Sequence, residues 1–428
     1  MSGKNFLEKL LDGAEVEWLP LGELAQIYGG LTGKSKSDFE GGNAKYVTYK
    51  NIFANKSVDF SAIECVKVSD SERQNEVRYG DVLFTGSSET ADEVGMSSAV
   101  TTDVAGAVFL NSFSFGVRFK KDIPITPGFS KHLFRSSFMR SEIAKMASGV
   151  TRFNVSKDRF RKILVPILCP DNPQKSLEIQ AEIVRILDSF TELTAELTAE
   201  LTARRKQYNY YRDQLLSFED DEVEWKTLGD VAEVRSGWGF PNAYQGHDGG
   251  PYPFYKVSDM NIVGNETTMQ KANNYVDAET IRKLGVKPAP VGTVIFPKIG
   301  AAVATNKKRL LSVPSAYDNN VMGVIPGSEI IDRFLFYWIQ TFDLRSVAND
   351  SGAVPSIRKS EMEGVLIPIP PLAEQARIVA ILDKFDALTN SITEGLPREI
   401  ELRQKQYAYY RDLLFNFPKA ETASAASA

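Results

Sequence analysis

Histidine and cysteine are scarce in this chain. With only two histidines, His132 and His247, a histidine-based metal site or a two-histidine proton shuttle is poorly supplied. The two cysteines, Cys65 and Cys169, have neither CxxC spacing nor neighbouring histidines, so we expect structural thiols and no metal site. No run approaches the ~20 apolar residues of a membrane span, and residues 1–20 lack an export pattern. A cytoplasmic location is therefore expected.

Signatures of catalysis are also missing. Gly29 to Ser35 resembles a phosphate-binding loop, but Tyr28 stands where the GxxxxGK[ST] pattern needs its first glycine. The pair Pro370-Pro371 lacks the flanking residues of a methyltransferase site. There is no convincing set of carboxylates with a lysine for nuclease chemistry, and no nucleophile elbow supports a Ser/His/Asp triad. We predict no catalytic residue.

The net charge of −5 argues weakly against a generally basic nucleic-acid binder. It does not exclude local basic surfaces, because binding depends on how Lys and Arg are distributed. Charge therefore leaves the ligand class open.

The chain contains an internal repeat, which is the strongest pattern in it. The paired segments are Glu15–Trp18 with Glu222–Trp225, Gln180–Phe190 with Gln375–Phe385, and Lys206–Asp213 with Lys405–Asp412. Between them, Gly80–Phe84 echoes Gly292–Phe296 and Ile163–Ile167 echoes Val365–Ile369, but the surrounding residues differ. The two halves share a frame and diverge within it.

Residues 15–172 and 219–370 are predicted to form two globular domains. Both contain short β-branched and aromatic runs bounded by turn residues, such as Lys45–Tyr49. Each also has one amphipathic helical stretch, near 129–147 and near 329–347. We therefore predict two α+β domains of about 150 residues each.

Two long helices are predicted at 173–218 and 371–417. In the first, there is no Pro or Gly from Leu177 to Phe218, and apolar residues step by four and three, as in a coiled coil, at Ile179, Ile183, Ile186, Phe190, Leu193 and Leu197. About 40 helical residues would span ~60 Å. The second contains Gly395 and Pro397, where we expect a kink or break.

Connectivity predicts that the two helices run antiparallel, because the first carries the chain from one domain to the other and the second must return. Residues 1–14 resemble the last turns of a repeat helix, so we expect them near the end of the second helix, and residues 418–428 read as a flexible tail. The predicted fold is α+β, with two globular domains separated by two long antiparallel coiled-coil helices in a pseudo-twofold repeat.

The paired helices ending in Lys-Gln-Tyr-x-Tyr-Tyr-Arg-Asp, the two Glu-x-Glu-Trp segments and the Thr-Ala-Glu-Leu repeat at 194–201 resemble the specificity subunit of a type I restriction-modification system. The likeness is greatest to the subfamily with such repeats in the central helix. The resemblance implies a non-catalytic subunit whose two target recognition domains each read one half of a split site in double-stranded DNA. It also implies two methyltransferase subunits that use S-adenosylmethionine to methylate adenine at N6, and motor-nuclease subunits that use ATP and Mg²⁺.

The four-residue repeat is our candidate for a spacer ruler. Each unit adds ~6 Å and ~40° to a helix, against a base-pair rise of ~3.4 Å and a twist of ~36°. One unit should therefore change the gap between half-sites by about one base pair. The alternative is a fortuitous repeat of good helix formers. The residues are Thr194, Ala195, Glu196, Leu197, Thr198, Ala199, Glu200 and Leu201.

DNA contacts are expected from polar and aromatic side chains on loops. In the first domain we predict Lys34, Lys36, Tyr49, Lys50, Asn51, Ser87, Arg152 and Asn154. In the second domain we predict Trp238, Tyr255, Lys256, Lys298, Asn306, Lys307, Lys308 and Arg358. The competing interpretation of each is a solvated surface side chain. Helix packing or partner docking is predicted for Tyr208, Tyr211, Tyr407 and Tyr410.

Two other functions remain open from the sequence. One is a non-catalytic assembly scaffold, in which both globular domains bind proteins and the helices set their separation. The other is an enzyme that acts alone. Methylation assays with and without cognate methyltransferase subunits discriminate among the three.

Overall fold

The computed structural model describes residues 3–219, 221–349, 354–391 and 394–418, with side chains from residue 6. It divides into unit 1, formed by residues 1–194 and 403–428, and unit 2, formed by residues 195–402. Each unit therefore combines one globular domain with segments of both long helical regions. Over the described ranges, the helices are too short or too polar to cross a membrane.

The elements are numbered in chain order. Those up to the first long helix are α1 (Gly3–Leu11), β1 (Val16–Pro20), α2 (Leu21–Leu24), β2 (Ala25–Gly29), β3 (Ala44–Val47), α3 (Tyr49–Ala54), β4 (Glu64–Val66), β5 (Val82–Thr85), β6 (Ser87–Ser88), β7 (Ser97–Ala99), β8 (Val108–Leu110), β9 (Ser114–Phe119), α4 (Pro127–Leu133), α5 (Ser137–Lys145), β10 (Ala147–Ser148), β11 (Phe153–Val155), α6 (Lys157–Phe160), β12 (Leu164–Leu168) and α7 (Pro173–Leu215). Those that follow are β13 (Glu224–Thr227), α8 (Leu228–Val231), β14 (Ala232–Ser236), β15 (Tyr252–Tyr255), β16 (Thr268–Met269), β17 (Tyr275–Val276), α9 (Ala278–Lys283), β18 (Val294–Pro297), β19 (Arg309–Leu311), β20 (Ala316–Tyr317), β21 (Val321–Pro326), α10 (Asp332–Thr341), α11 (Lys359–Glu363), β22 (Leu366–Ile369), α12 (Leu372–Asn390) and α13 (Gly395–Leu414). Short 3-10 helices cover Lys36–Phe39, Phe60–Ala62, Asn242–Tyr244, Val257–Asn261, Gly300–Thr305 and Leu344–Val347.

The globular domain of unit 1 is built on an antiparallel sheet with strand order β2-β9-β5-β7. A second sheet has the order β4-β3-β8, with β3 and β8 parallel. Aromatic rings fill the core: Phe84 lies 5.3 Å from Phe115 and 5.0 Å from Phe160, measured between ring centroids. Phe84 comes from β5, Phe115 from β9 and Phe160 from α6, and all three side chains are buried where the helix covers the sheet.

Unit 2 repeats this frame. Its main sheet has the order β14-β21-β18-β19-β16, and a smaller sheet has the order β17-β15-β20, again with one parallel pair. The first strand of each domain pairs with its last strand, so that Trp18 lies opposite Pro166 and Trp225 opposite Pro368. The strands predicted from the echoed runs form as β5 and β18, and as β12 and β22. The α+β fold is confirmed.

The amphipathic stretch predicted near 129–147 is two helices, not one. Helix α4 ends at Leu133, and α5 starts after Ser136, whose hydroxyl accepts a hydrogen bond from the backbone N–H of Met139. A serine cap of this kind satisfies an amide that would otherwise lack a partner and so favours a new helix start. The stretch near 329–347 is α10 followed by a 3-10 turn.

Helix α7 is continuous over 43 residues, as its lack of internal proline and glycine predicts. It starts at Pro173, where the side chain of Asn172 accepts from the backbone N–H of Lys175. The buried residues of its first half are Ile179, Ser176, Gln180, Ile183 and Leu187. Apolar burial therefore steps by four and includes Leu187, which the predicted seam omits, because this half lies on a globular core as well as on a helix.

The C-terminal helical region is interrupted where glycine and proline predict. Helix α12 ends at Asn390 and α13 starts at Gly395, which has a φ of +76° that favours glycine. In unit 2, Arg205 donates to the carbonyl of Thr389 at 3.3 Å, and the ring of Tyr211 stacks on that of Phe385 at 5.7 Å. The later residue of α7, Tyr211, therefore contacts the earlier residue of α12, Phe385, so the two helices run antiparallel in this unit.

Helix α1 packs in the unit 1 core beside the end of α13. Leu7 and Leu11 are buried in the same cluster as Leu414, Phe415 and Phe417. This placement matches the prediction that the chain opens with the last turns of a repeat helix. Apart from residue 418, the predicted tail at 418–428 lies outside the described residues.

Candidate nucleic-acid interface

An open cleft of about 580 Å³ lies in unit 1. Three residues predicted to contact DNA line it: Tyr49 at the start of α3, Ser87 on β6, and Arg152 at the tip of the β10–β11 hairpin. Phe53, Asn111 and Phe113 are also in its walls. The cleft combines hydroxyl, amide, guanidinium and aromatic groups, which are the groups that proteins use to contact bases.

Arg152 is held in the cleft from two sides. Its Nη2 donates to Oγ of Ser87 at 3.1 Å, and its guanidinium carbon lies 5.7 Å from the centroid of the Phe113 ring. Asn154 is the strand partner of Ser87, and its Nδ2 donates to the carbonyl of Arg152 at 3.4 Å. Tyr49 donates to the carbonyl of Ser87 at 2.8 Å. The structure therefore brings four predicted residues together around one β-strand.

Phe113 is a candidate that the sequence analysis missed. Its side chain is 60% exposed, although large apolar residues are mostly buried in this domain. It follows β8 in the turn before β9, and it faces Arg152. The one signal in the sequence was a phenylalanine among turn residues, which is equally typical of a core strand.

The structure corrects the predictions for one asparagine and one lysine of unit 1. Asn51 is 4% exposed, and its Nδ2 donates to the carbonyls of Asp59 and Ala62, so its prediction as a DNA contact is wrong. Lys34 is paired with Glu72 at 2.5 Å, and hydrogen bonding to Lys34 lowers the pKa of that carboxyl to about 2. This ion pair holds the Lys34 side chain within the fold.

Lys36 and Lys50 are exposed and lie outside the lining of the cleft. Lys50 is nevertheless adjacent to Tyr49 on α3. Both stay predictions, and their exposure suits contact with phosphates rather than with bases.

In unit 2, three predicted residues surround Asp318. Trp238 forms a parallel β-bridge with it, and Lys256 and Lys298 are close enough to interact electrostatically with its carboxyl. Burial raises the pKa of Asp318, while hydrogen bonds from Asn320 and the charge of Lys256 oppose that rise. Burial in turn lowers the pKa of Lys298. The second domain therefore also has a polar centre, which lies beside the backbone of Trp238, while the Trp238 ring packs against that of Tyr317 at 5.7 Å.

The two lysines beside Asp318 have neutral partners. Lys298 Nζ donates to Oγ of Ser236 at 3.1 Å, and Lys256 Nζ donates to Oε1 of Gln245 at 2.7 Å. Such neutral hydrogen bonds can be exchanged for a phosphate or a base edge. Lys256 and Lys298 remain good candidates.

Tyr255 and Lys308 are wrong as predicted DNA contacts, because both are buried. Tyr255 is 1% exposed and donates to the carbonyl of Met269 at 3.3 Å. Lys308 is 0% exposed, and its Nζ donates to the Oδ1 of Asn306 at 2.8 Å. Burial lowers the pKa of Lys308 to about 8.

Asn306 and Lys307 also have contacts within the domain. Asn306 ends a 3-10 helix at a φ of +54°, and its Oδ1 accepts from the backbone N–H of Leu344 as well as from Lys308. Lys307 donates to Oδ1 of Asn261. Asn306 therefore acts as a joint in the fold, which accounts for its polar side chain without DNA.

Arg152 and Arg358, which the sequence places after similar Ser-Gly turns, are not structural equivalents. Arg358 occupies the position before α11 that Ser156 occupies before α6, and it is exposed. Its backbone N–H donates to Glu361 at 2.7 Å. Arg358 stays a predicted contact, but the matching position in unit 1 is a serine cap.

The helix motifs contain a joint whose role the sequence analysis missed. The side chain of Gln180 is 1% exposed, and its Oε1 accepts from the backbone N–H of Thr126 at 2.9 Å. Gln375 is 0% exposed and accepts from the backbone N–H of Ile331 at 2.8 Å. Each glutamine thus ties its long helix to the residue before α4 or α10. The repeat of these glutamines was the available signal.

The tyrosines of the helix ends divide into buried and exposed positions. Tyr208 and Tyr407 are 8% and 7% exposed, so packing is confirmed for them and partner docking is wrong. Tyr211 and Tyr410 are each 39% exposed and also stack on phenylalanines of their own units. The most exposed rings at these ends belong to Tyr210 and Tyr409.

The protein family described as "Type I restriction modification DNA specificity domain" matches this chain twice, at residues 14–204 and at residues 220–402. The type I restriction enzyme EcoR124I/EcoR124II specificity subunit of Escherichia coli is 38% identical over 99% of this chain and 100% of its own length. The EcoprrI specificity subunit, also from Escherichia coli, is 34% identical over 92% of this chain and 93% of its own length.

Solved structures give the same fold at low sequence identity. A chain from a structure of type I restriction-modification complex assembly has a TM-score of 0.57 and 17% identity, covering 94% of this chain and 97% of its own. The type I S subunit from M. genitalium has a TM-score of 0.51 and 14% identity, covering 96% of this chain and 98% of its own. The chain belongs to the family of type I restriction-modification specificity subunits.

Proposed function

We propose that this chain reads a bipartite site in double-stranded DNA, with one globular domain for each half-site. The chain itself neither makes nor breaks a covalent bond. It holds two methyltransferase subunits, which methylate adenine at N6, and with motor-nuclease subunits it directs cleavage of unmethylated DNA. S-adenosylmethionine, ATP and Mg²⁺ are used by those partners.

The observation that carries this proposal is a repeated frame with divergent chemistry at corresponding edges. In unit 1 the edge presents Tyr49, Ser87 and Arg152. In unit 2 it presents Lys256 and Lys298 near the buried carboxyl of Asp318. Two copies of a protein-binding module would keep similar contact residues, whereas readers of two different half-sites need different ones.

The long helices suit a spacer. The repeat Thr194–Leu201 lies inside the continuous helix α7, and the division between the two units falls after its first residue, Thr194. Leu197 and Leu201 are half-buried, while most other residues of the repeat are exposed. Added or removed units would therefore alter helix length without removing a core residue of either domain.

Exposed tyrosines at the helix ends suit partner docking. Tyr210 is 58% exposed and Tyr409 is 62% exposed, and each lies edge-on to the next tyrosine along the chain. Tyrosine is enriched at protein interfaces because it combines a large apolar surface with a hydroxyl. Two copies of one motif provide two similar surfaces, which matches two methyltransferase subunits.

Methylated-adenine mapping tests this proposal. The chain is co-expressed with its methyltransferase subunits in a host that lacks adenine methylation, and modified adenines are located by sequencing. We expect one split sequence with a gap of fixed length, and no methylation when either component is expressed alone. Methylation by this chain alone would indicate an enzyme, and assembly without any sequence preference would indicate a scaffold.

A further inference from the structure

One turn in each unit is anchored in the same way. In unit 1 the backbone N–H of Gly86 donates to the carbonyl of Phe113 at 2.8 Å, and in unit 2 the N–H of Lys298 donates to the carbonyl of Asn320 at 2.9 Å. The turns cover residues 111–113, between β8 and β9, and residues 318–320, between β20 and β21. We call them the reading turns.

A glycine lies against the first residue of each reading turn. A Cβ on Gly30 would fall 2.0 Å from the carbonyl oxygen of Asn111, and a Cβ on Gly237 would fall 2.0 Å from that of Asp318. Only glycine permits so close an approach of two backbones. The backbone of both turns is therefore fixed by equivalent contacts, whatever side chains the turns carry.

The side chains at the ends of the reading turns differ completely. Phe113 is 60% exposed in unit 1, and the corresponding residue of unit 2 is the exposed amide Asn320. The amide N–H₂ of Asn320 donates to Oδ2 of Asp318 at 3.2 Å. A backbone arrangement that is the same in both units, but presents an aromatic ring in one and an amide in the other, is what two different base contacts require.

The neighbours of each turn complete a contact surface. Within the described part of the chain, the side chain of Arg152 has one hydrogen bond, to Ser87, and it lies over the ring of Phe113. In unit 2 the carboxyl of Asp318 lies under Asn320, near Lys298. Each turn thus has a cationic side chain beside it for a phosphate or a guanine edge.

We propose that the reading turns make base contacts in DNA, and that Phe113 and Asn320 determine specificity, one for each half-site. This inference rests on the proposed function. Phe113 makes apolar contact with a base while Arg152 donates to a neighbouring base edge. Asn320 pairs with a base through its amide, as asparagine does with the N6 and N7 atoms of adenine. Both residues contact DNA and neither takes part in methyl transfer.

The test uses the assembled methyltransferase and compares methylation at the cognate site with methylation at sites that differ by one base pair. The variants are Phe113→Ala and Asn320→Ala. Their controls are Tyr79→Ala, an aromatic truncation at a 57% exposed position of unit 1, and Gln270→Ala, an exposed amide of unit 2 beside α12. Thermal unfolding of each complex shows whether the fold is retained.

We expect Phe113→Ala to relax base preference in one half-site and Asn320→Ala in the other, each by roughly 5- to 150-fold at one or two positions. The opposite half-site and the gap stay unchanged, and both controls match wild type. The inference is overturned if both variants keep the selectivity of their controls while wild type methylates a split site. If wild type shows no split site, the proposed function itself fails.

Discussion

The carboxylate of Asp188 lies 2.8 Å from Nε2 of His132, and the hydroxyl of Tyr407 lies 2.9 Å from Nδ1 of the same ring. A neutral imidazole satisfies both, because Nε2–H donates to the carboxylate and Nδ1 accepts from the hydroxyl. The histidine comes from α4, the aspartate from α7 and the tyrosine from α13. This buried contact therefore ties the unit 1 domain to both of its helical segments.

This contact predicts a pH dependence of stability. Burial lowers the pKa of His132 below 6.5, helped by the charge of Lys131 and Lys56 and opposed by Asp188. The unfolded chain therefore takes up the proton first, so the stability from neutral His132 is complete above about pH 6.5 and is lost as pH falls below it. The pKa of the Asp188 carboxyl is lowered from 3.8 to about 2, so protonation of this group reduces stability only below about pH 3.8.

We expect the free energy of unfolding of unit 1 to fall between pH 7 and pH 5 in the wild type and to change less in His132→Gln. Denaturant unfolding at several pH values measures it, and His247→Gln, at the exposed histidine, is the control. Since the chain has two histidines, the NMR spectrum of His247→Gln reports the His132 ring alone. A titration midpoint above 6.5 would contradict this prediction.

The glutamine joints predict a second loss of stability. Gln180→Ala removes the side chain that accepts from the backbone N–H of Thr126 and donates to the carbonyl of Pro124, so both part-buried backbone groups lose a partner. We expect a loss of about 1–3 kcal/mol in the free energy of unfolding, measured with denaturant. Gln174→Ala is the control, because Gln174 is exposed on the same helix and bonds only Glu178 in the described structure. Equal stability of the two variants would show that the joint contributes nothing.

Arg135 is a positioning residue for the unit 1 cleft. Its Nη2 lies 2.9, 3.1 and 3.0 Å from the carbonyl oxygens of Ile52, Phe53 and Asn55 at the end of α3, where its two hydrogens are shared among them. Its Nε donates to the carbonyl of Ser97 at 2.7 Å. Lysine has one nitrogen, so it cannot bond the Ser97 carbonyl and the carbonyls of α3 from two separate nitrogens as arginine does. We expect Arg135→Lys to cost about 1.5–3 kcal/mol of stability and to weaken selection of one half-site while leaving the other intact.

The control for Arg135→Lys is Arg185→Lys, at a side chain that is 68% exposed and paired with Glu182 on the same helix. Stability and methylation patterns are both measured, because a purely structural role would lower stability without changing base preference. Equal weakening of both half-sites would argue against positioning of the cleft by Arg135.

The repeat and the types of its elements could be predicted from sequence, because the motifs recur at separated positions and apolar spacing reports directly on helix and strand faces. The break at Gly395 follows from local backbone chemistry in the same way. Contacts between distant residues do not leave such a pattern. The division of the stretch near 129–147 into two helices depended on a serine cap that the apolar spacing does not reveal.

The candidate site was less predictable, because residue type does not report burial. Lys308 and Lys298 look alike in sequence, yet Lys308 is buried against Asn306, whereas Lys298 lies near Asp318. Asn51 satisfies backbone carbonyls, as a DNA-facing asparagine would satisfy a base. Phe113 was overlooked because its exposure arises from the turn geometry, which only the folded chain defines.

A Thr-Ala-Glu-Leu insertion after Leu201 tests most directly whether two domains read two half-sites across a helical spacer. Methylated adenines are mapped for complexes that contain the wild-type chain or the inserted chain. We predict that both half-sites stay the same and that the gap between them grows by about one base pair, since four residues add ~6 Å and ~40° to the helix. An unchanged gap, or a changed half-site, would contradict this arrangement.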